Sequence, residues 1–216
     1  MSFLASLLDL LFPPKCVFCG KVLSKGDEGL CTKCTESLPF TDNFGKQDGG
    51  HHDFCISPLH YSGAVRKSIL RFKFKGASAY AETYGKLLAE CINECPDLKY
   101  DFISWVPLSS KRERSRGYDQ AMLLALATAL ELHDVAVETL KKPHDVQAQS
   151  ELVGKEQRSF NISGAYEAAD PELISGKCIL LIDDVVTTGA TLDECAKVLR
   201  TAGAHKVICA ALARGE

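Results

Sequence analysis

The run Leu180-Leu181-Ile182-Asp183-Asp184-Val185-Val186-Thr187-Thr188-Gly189-Ala190-Thr191 constrains this chain more than any other segment. A short apolar stretch delivers two adjacent carboxylates into a Thr-Thr-Gly-Ala-Thr turn. A helix-like stretch follows, Leu192 to Ala202, and ends at Gly203. The N–H groups of such a turn, with the dipole of the helix behind it, take up a phosphate. Two carboxylates accept hydrogen bonds from neighbouring hydroxyls, as on a ribose. A capped turn with no ligand is the bland alternative. It is disfavoured because adjacent acids at a strand end raise each other's pKa unless cations or donors compensate. The segment therefore reads as a ribose 5-phosphate site. Asp183 and Asp184 meet the diol, and Thr187, Thr188, Gly189, Ala190 and Thr191 hold the phosphate.

Around this segment the pattern alternates. Helices are expected over Val65–Phe74, Tyr80–Glu94 and Gln120–Leu132, the last with Met122, Leu123, Leu126 and Leu130 on one face. Strands are expected over Phe102–Val106, Val135–Leu140, Asn161–Tyr166, Cys178–Ile182 and Val207–Leu212. Such alternation implies right-handed crossovers and an α/β fold, a mainly parallel sheet flanked by helices. Ligands of these sheets sit at the carboxyl ends of strands, where Asp183 and Asp184 stand. A chain of 216 residues suits one domain with a small appendage. The expected division is an amphipathic helix over 1–14, a cysteine module and linker over 15–57, and the main domain over 58–216. Leu4, Leu7, Leu8 and Leu11 mark the helix and Pro13-Pro14 stops it. The linker, 41–57, is polar and glycine-rich.

The appendage is defined by Cys16-x-x-Cys19 and, eleven residues on, Cys31-x-x-Cys34. Two such knuckles close a tetrahedron of thiolates around Zn2+, with no position open to substrate, so the metal is structural. Disulfides are the alternative. They are disfavoured because no signal peptide is evident, Asp9 interrupts the first apolar run, and a cytoplasmic, reducing location is expected. No stretch reaches the roughly 18 apolar residues of a membrane span. His51, His52 and Cys55 are candidates for a second ligand set, or else solvated linker residues. Cys91, Cys95, Cys178, Cys195 and Cys209 read as core.

The net charge of −3 gives no whole-chain reason to expect nucleic acid, but charge is concentrated locally. Lys111, Arg112, Arg114 and Arg116 put four cations in six positions between a strand and a helix. They form either a solvated basic loop or, beside the ribose phosphate turn, a pyrophosphate site. Tyr61–Gly76 holds five cations (Arg66, Lys67, Arg71, Lys73, Lys75), three aromatics and no acid. It is either an amphipathic helix with Val65, Ile69 and Phe72 inward, or a groove for single-stranded nucleic acid.

Together these strings resemble the ComF family, a competence-associated branch of the type I phosphoribosyltransferases with an N-terminal zinc module. The likeness runs from about residue 13 to the C-terminus. It implies the type I phosphoribosyltransferase fold, structural Zn2+, and phosphoribosyl pyrophosphate (PRPP) bound with Mg2+. By this resemblance Leu108, Ser109, Ser110 and Lys111 contact the pyrophosphate, and Arg114, Arg116 and Gln120 shape the site. Asp183, Asp184, Arg114 and Arg116 are then the catalytic candidates. Gln147–Asn161 resembles the family's mobile loop, and Ser163–Ser175 would form part of the hood over the acceptor. The family's link to DNA uptake adds single-stranded DNA as a partner of the 61–76 stretch. It also adds other competence proteins and a peripheral association with a membrane uptake machinery. Two functions stand side by side: a ribose phosphate-binding competence factor, and an active Mg2+-dependent phosphoribosyltransferase of nucleotide metabolism with no DNA role.

Overall fold

A computed structural model describes residues 13–96, 98–143 and 164–215. The expected N-terminal helix before Pro13 and the loop Gln147–Asn161 lie outside the described residues.

Two nine-residue strands, β7 (Cys178–Val186) and β8 (Lys206–Arg214), form the centre of the sheet. Their near-continuous apolar runs suit strands covered on both faces. They pair in parallel from Cys178 opposite Lys206 to Val186 opposite Arg214. β4 (Phe102–Trp105) adds in parallel along Ile179–Ile182 of β7. β2 (Phe54–Ile56) adds in parallel on the far side of β8, with β1 (Gln47–Asp48) antiparallel at the edge. The order is β1-β2-β8-β7-β4, with β3 (Leu59–His60) also on β8. The expected mainly parallel α/β sheet is therefore present.

Side chains alternate across the strands. Leu180, Ile182, Ile208, Ala210 and Leu212 pack with α2 (Gly63–Phe74), α3 (Tyr80–Glu94) and α5 (Gln120–Glu131). Ile179, Leu181, Val207, Cys209 and Ala211 face α7 (Ala190–Thr201) and bury its Leu192, Cys195, Ala196 and Leu199. Cys91, Cys95, Cys195 and Cys209 are core residues as expected, while Cys178 is only partly buried.

Helix α5 differs from expectation in its inward face. Ala121, Leu124, Ala125 and Ala129 are buried, whereas Leu126 and Leu130 are 45% and 74% exposed. The reason is close approach: a Cβ on Gly85 of α3 would lie 2.7 Å from the backbone and Cβ of Ala127. Small residues permit that contact, and the larger leucines are left outside. Gly85→Ala is expected to cost about 1–3 kcal/mol through overpacking, despite alanine's better helix propensity. Thermal denaturation checks this.

Three sequence expectations are corrected. Within 135–140 only Ala136 bridges in parallel to Ile103. The chain then leaves β4, Thr139 bonding to Ser104 through the hydroxyls at 2.7 Å. It forms β5 (Leu140–Lys141) against β6 (Glu167–Ala168) in a separate antiparallel pair. Of the expected strand Asn161–Tyr166, residues 164–166 are described and are not strand; pairing begins at Glu167. The segment 41–57 is folded rather than a linker. After a 3-10 turn (Asp42–Gly45) it supplies β1 and β2. Asp53 anchors it by accepting from the Val207 N–H at 3.0 Å and the Arg200 guanidinium at 2.5 Å.

The cysteine module rests on the same core. The Ser68 hydroxyl and the Arg71 guanidinium of α2 donate to the Val17 carbonyl, and Arg71 also donates to that of Phe18. The Phe18 ring packs on Tyr84 at 5.9 Å.

Candidate functional site

Two centres emerge. In the first, the Sγ atoms of Cys16, Cys19, Cys31 and Cys34 all lie within 4.8 Å of one another, and Cys19 and Cys31 are 3.6 Å apart. A ZnS4 tetrahedron with bonds of about 2.3 Å has edges of roughly 3.8 Å, so the thiols fit zinc. The first knuckle closes when the Gly20 N–H donates to the Cys16 carbonyl at 2.9 Å. The second opens helix α1 (Thr32–Ser37). Burial alone would push the Cys16 thiol up, but backbone N–H groups of Cys19, Cys31 and Phe18 bring it to about 7. A thiolate is the form a metal takes. Among the described residues, His51, His52 and Cys55 join no metal cluster. His52 is buried and its Nδ1 lies 3.1 Å from Asp193 Oδ1. That oxygen also accepts from the N–H groups of Gly50 and His51, at 3.0 and 2.5 Å. Burial pushes the Cys55 thiol up to about 12.

The second centre is a cleft of about 230 Å³ at the carboxyl ends of β4 and β7. Strand β7 runs through the acid pair to Val186, past the expected end at Ile182, because β8 continues to pair with it. Asp183 is partly buried and accepts from the N–H of Asp184 at 2.7 Å. Burial first, and the charge of Asp184 second, push the Asp183 carboxyl up to about 7. Asp184 Oδ1 lies 2.8 Å from Lys73 Nζ. Lys73 therefore lines the cleft and is not part of an open basic surface. Arg71 is likewise engaged, on the cysteine module.

The cationic wall comes from α4 (Ser110–Arg116), where Arg112 and Arg116, one turn apart, face the cleft. Lys111 and Arg114, expected at the site, are exposed and lie off its lining. Arg116 stacks 4.9 Å from the Phe74 ring and donates to Gln120 Oε1. Leu108 lines the cleft, but its N–H, expected to face a ligand, donates to Asp119 Oδ2 at 2.6 Å. Asp119 also caps α5 through the Met122 N–H. Ser109 is buried, with no partner for its hydroxyl among the described residues. Lys142 and Tyr166 complete the wall, Nζ to hydroxyl at 3.0 Å. Sequence reasoning missed Lys142 and Tyr166 as site residues, read Arg112 only as one of the four cations of a pyrophosphate loop, and placed Lys73 elsewhere.

The phosphate loop follows directly. Gly189 adopts a φ of +76° at the start of α7, and the Ala190 N–H at the first helical position donates to the Thr188 hydroxyl at 3.4 Å. Thr187 and Thr188 are exposed, and Thr191 lines the cleft. On its other side the loop borders a second cavity of about 270 Å³, walled by Gly49, Gly50 and His52. The former linker thus braces the loop through Asp193, a contact spanning 141 residues that no local pattern announces.

Comparison with known proteins finds matches to both parts of the chain. Residues 116–216 match the phosphoribosyl transferase domain family, and residues 7–51 match the double zinc ribbon domain. Competence protein F of Haemophilus influenzae is 28% identical over 93% of this chain and 96% of its own length. Competence protein ComFC of Streptococcus pneumoniae is 31% identical over 71% of this chain and 65% of its own length. The DNA utilization protein YhgH of Escherichia coli is 25% identical over 92% of this chain and 96% of its own length.

Proposed function

We propose that this chain, a homologue of competence proteins F and ComFC with a zinc ribbon ahead of a phosphoribosyl transferase domain, binds PRPP with Mg2+ and serves in handling single-stranded DNA during competence. The observation that carries the PRPP reading is convergence. The carboxylate pair, Lys73, Arg112 and Arg116 all line one cleft with Thr191, beside the start of α7. In this reading the 5-phosphate sits on Thr187–Thr191, at the N-terminus of α7, the end of a helix that takes up phosphate. The ribose diol meets Asp183 and Asp184. The pyrophosphate lies toward Arg112 and Arg116, whose planar forks match its oxygens. Two adjacent carboxylates with incoming phosphate oxygens are the hard donors Mg2+ takes. Bound there, the ion would offset charge on the pyrophosphate.

Titration of PRPP with Mg2+ present tests this. Arg112→Ala is expected to weaken binding about tenfold or more, as the loss of a charge-assisted contact does, whereas Arg114→Ala changes little. Equal effects of the two, or wild-type protein that binds no PRPP, would sink the reading.

The DNA reading rests on the homologues and on exposed cations. Arg66, Lys67 and Lys75 are exposed, and Phe74 beside them is 58% exposed. Replacing the three cations with Ala is expected to lower the salt slope of single-strand binding by about 2, at roughly 0.7 per phosphate contact. Fluorescence anisotropy at several ionic strengths reads it, and a slope that stays put counts against this surface. No helix among the described residues is long and apolar enough to cross a membrane. Association with a membrane uptake machinery would then be peripheral, through partner proteins.

The second reading, an active Mg2+-dependent phosphoribosyltransferase without a DNA role, is favoured by the intact acid pair. Arg112 and Arg116 would stabilise the charge of departing pyrophosphate while an acceptor nitrogen attacks C1 of the ribose. Pyrophosphate release from PRPP in the presence of nitrogenous acceptors separates the two readings.

A further inference from the structure

We infer that Lys73 is a positioning residue of the ribose phosphate site: its ammonium fixes the Asp184 carboxylate toward the ligand and supplies the positive charge that lets two adjacent acids share one strand end. This rests on the PRPP reading above.

Lys73 lies in the last turn of α2, with its side chain 20% exposed and that of Asp184 10% exposed. The contact at 2.8 Å is a charged hydrogen bond of ordinary length. The backbone carrying Lys73 is held on both sides. The Phe72 carbonyl accepts from the Tyr118 hydroxyl, the Phe74 ring lies under Arg116, and Arg71 is tied to the Val17 and Phe18 carbonyls. A lysine that meets a polyanion in solution keeps its hydration and its rotamer freedom; Lys73 has given up much of both. Its neighbours in the cleft, Arg112 and Arg116, suit phosphate oxygens. Lys73 faces the carboxylates instead, which sets it apart from Arg112 and Arg116: it orients the acids while they meet the ligand.

Opposite effects on two ligands distinguish this role from a purely structural ion pair. In Lys73→Ala the acid pair loses its internal cation. Free Mg2+ is then expected to bind the ligand-free protein more tightly, since an ammonium no longer competes for Asp184. PRPP at saturating Mg2+ is expected to bind roughly ten- to a hundredfold more weakly, because the Asp184 carboxylate that meets the ribose is no longer held in place. Lys73→Arg should restore most of the PRPP affinity. Single-stranded DNA should bind Lys73→Ala as it binds wild type, unlike the Arg66 and Lys67 variants. Lys73→Met, which keeps the apolar stem, serves if the alanine variant does not fold. Isothermal titration of all four proteins with Mg2+, PRPP and an oligonucleotide gives the answer. Unchanged PRPP and Mg2+ binding in a folded Lys73→Ala or Lys73→Met, or a loss confined to DNA, overturns the inference alone. Wild-type protein that binds no PRPP overturns the inference together with the reading beneath it.

Discussion

Stripping zinc from the four thiolates should melt far more than the two knuckles. Cys16, Val17, Phe18, Cys34 and Leu38 belong to the same buried cluster as Ile69, Phe72, Tyr84 and Leu88. Phe18 and Phe72 both pack on the Tyr84 ring, at 5.9 and 5.3 Å. Arg71 joins the first knuckle to α2 through two backbone carbonyls. Structural zinc contributes about 10–16 kcal/mol of apparent folding energy in zinc-finger peptides, as much as a whole domain's net stability of about 5–15 kcal/mol. Even about 5 kcal/mol corresponds to roughly 10–20 °C in melting temperature at this chain length. A thermal melt with and without a strong chelator is the measurement, and Cys16→Ser should act in the same direction. An unchanged main transition would mean that the module is an independent rider on the domain. Metal analysis should return one zinc per chain. Residues 7–51 match a double ribbon, yet the sequence there carries only the four cysteines of a single site. Because Arg71 and Lys73 share the last turns of α2, loss of zinc should also weaken PRPP binding.

The features that could be read from sequence are those whose cause is local. Long apolar runs fixed β7 and β8, and helical period fixed α2 and α3 to within a few residues. The four-cysteine spacing and the acid pair followed from metal geometry and charge repulsion. The missed features depend on distant partners. β1 and β2 are two and three residues long, too short for a period to show, and exist because β8 offers β2 an edge and β2 in turn offers one to β1. Asp193 looks like a first-turn acid until the Gly50 and His51 N–H groups arrive from the other end of the chain. Lys73 stood in a run of cations that suggested a solvated face. Arg112 and Arg114 differ only in helix phase, and phase cannot be set without knowing that α4 begins at Ser110. Residues 112 and 116 share a face, while 114 points about half a turn away.

Replacing Asp183 with Asn is expected to remove the ligand and make the protein more stable at the same time. Burial, and then the neighbouring Asp184 charge, raise the Asp183 carboxyl from 3.8 to about 7 in the folded chain. Between about pH 4 and 7 the folded state therefore holds a proton that the unfolded chain has released. The stability owed to this group is fully present below about pH 4, falls as pH rises to about 7, and is level above. At pH 8 the wild type carries two ionised acids side by side, which Asn relieves. Its amide oxygen can still accept the Asp184 N–H. A gain on the order of 1–3 kcal/mol is expected at pH 8, shrinking toward zero near pH 4, as urea denaturation at the two pH values would show. PRPP·Mg affinity should fall at least about tenfold in Asp183→Asn and further when Asp184→Asn is added. In wild type that affinity should rise as pH climbs through about 7, where Asp183 becomes a carboxylate. Stability gained as binding is lost marks a residue kept for function at a cost to the fold. A carboxylate retained for folding would behave the other way. Destabilisation of Asp183→Asn at pH 8 with PRPP affinity intact would assign the acid pair to architecture and remove the strongest support for a ribose phosphate site.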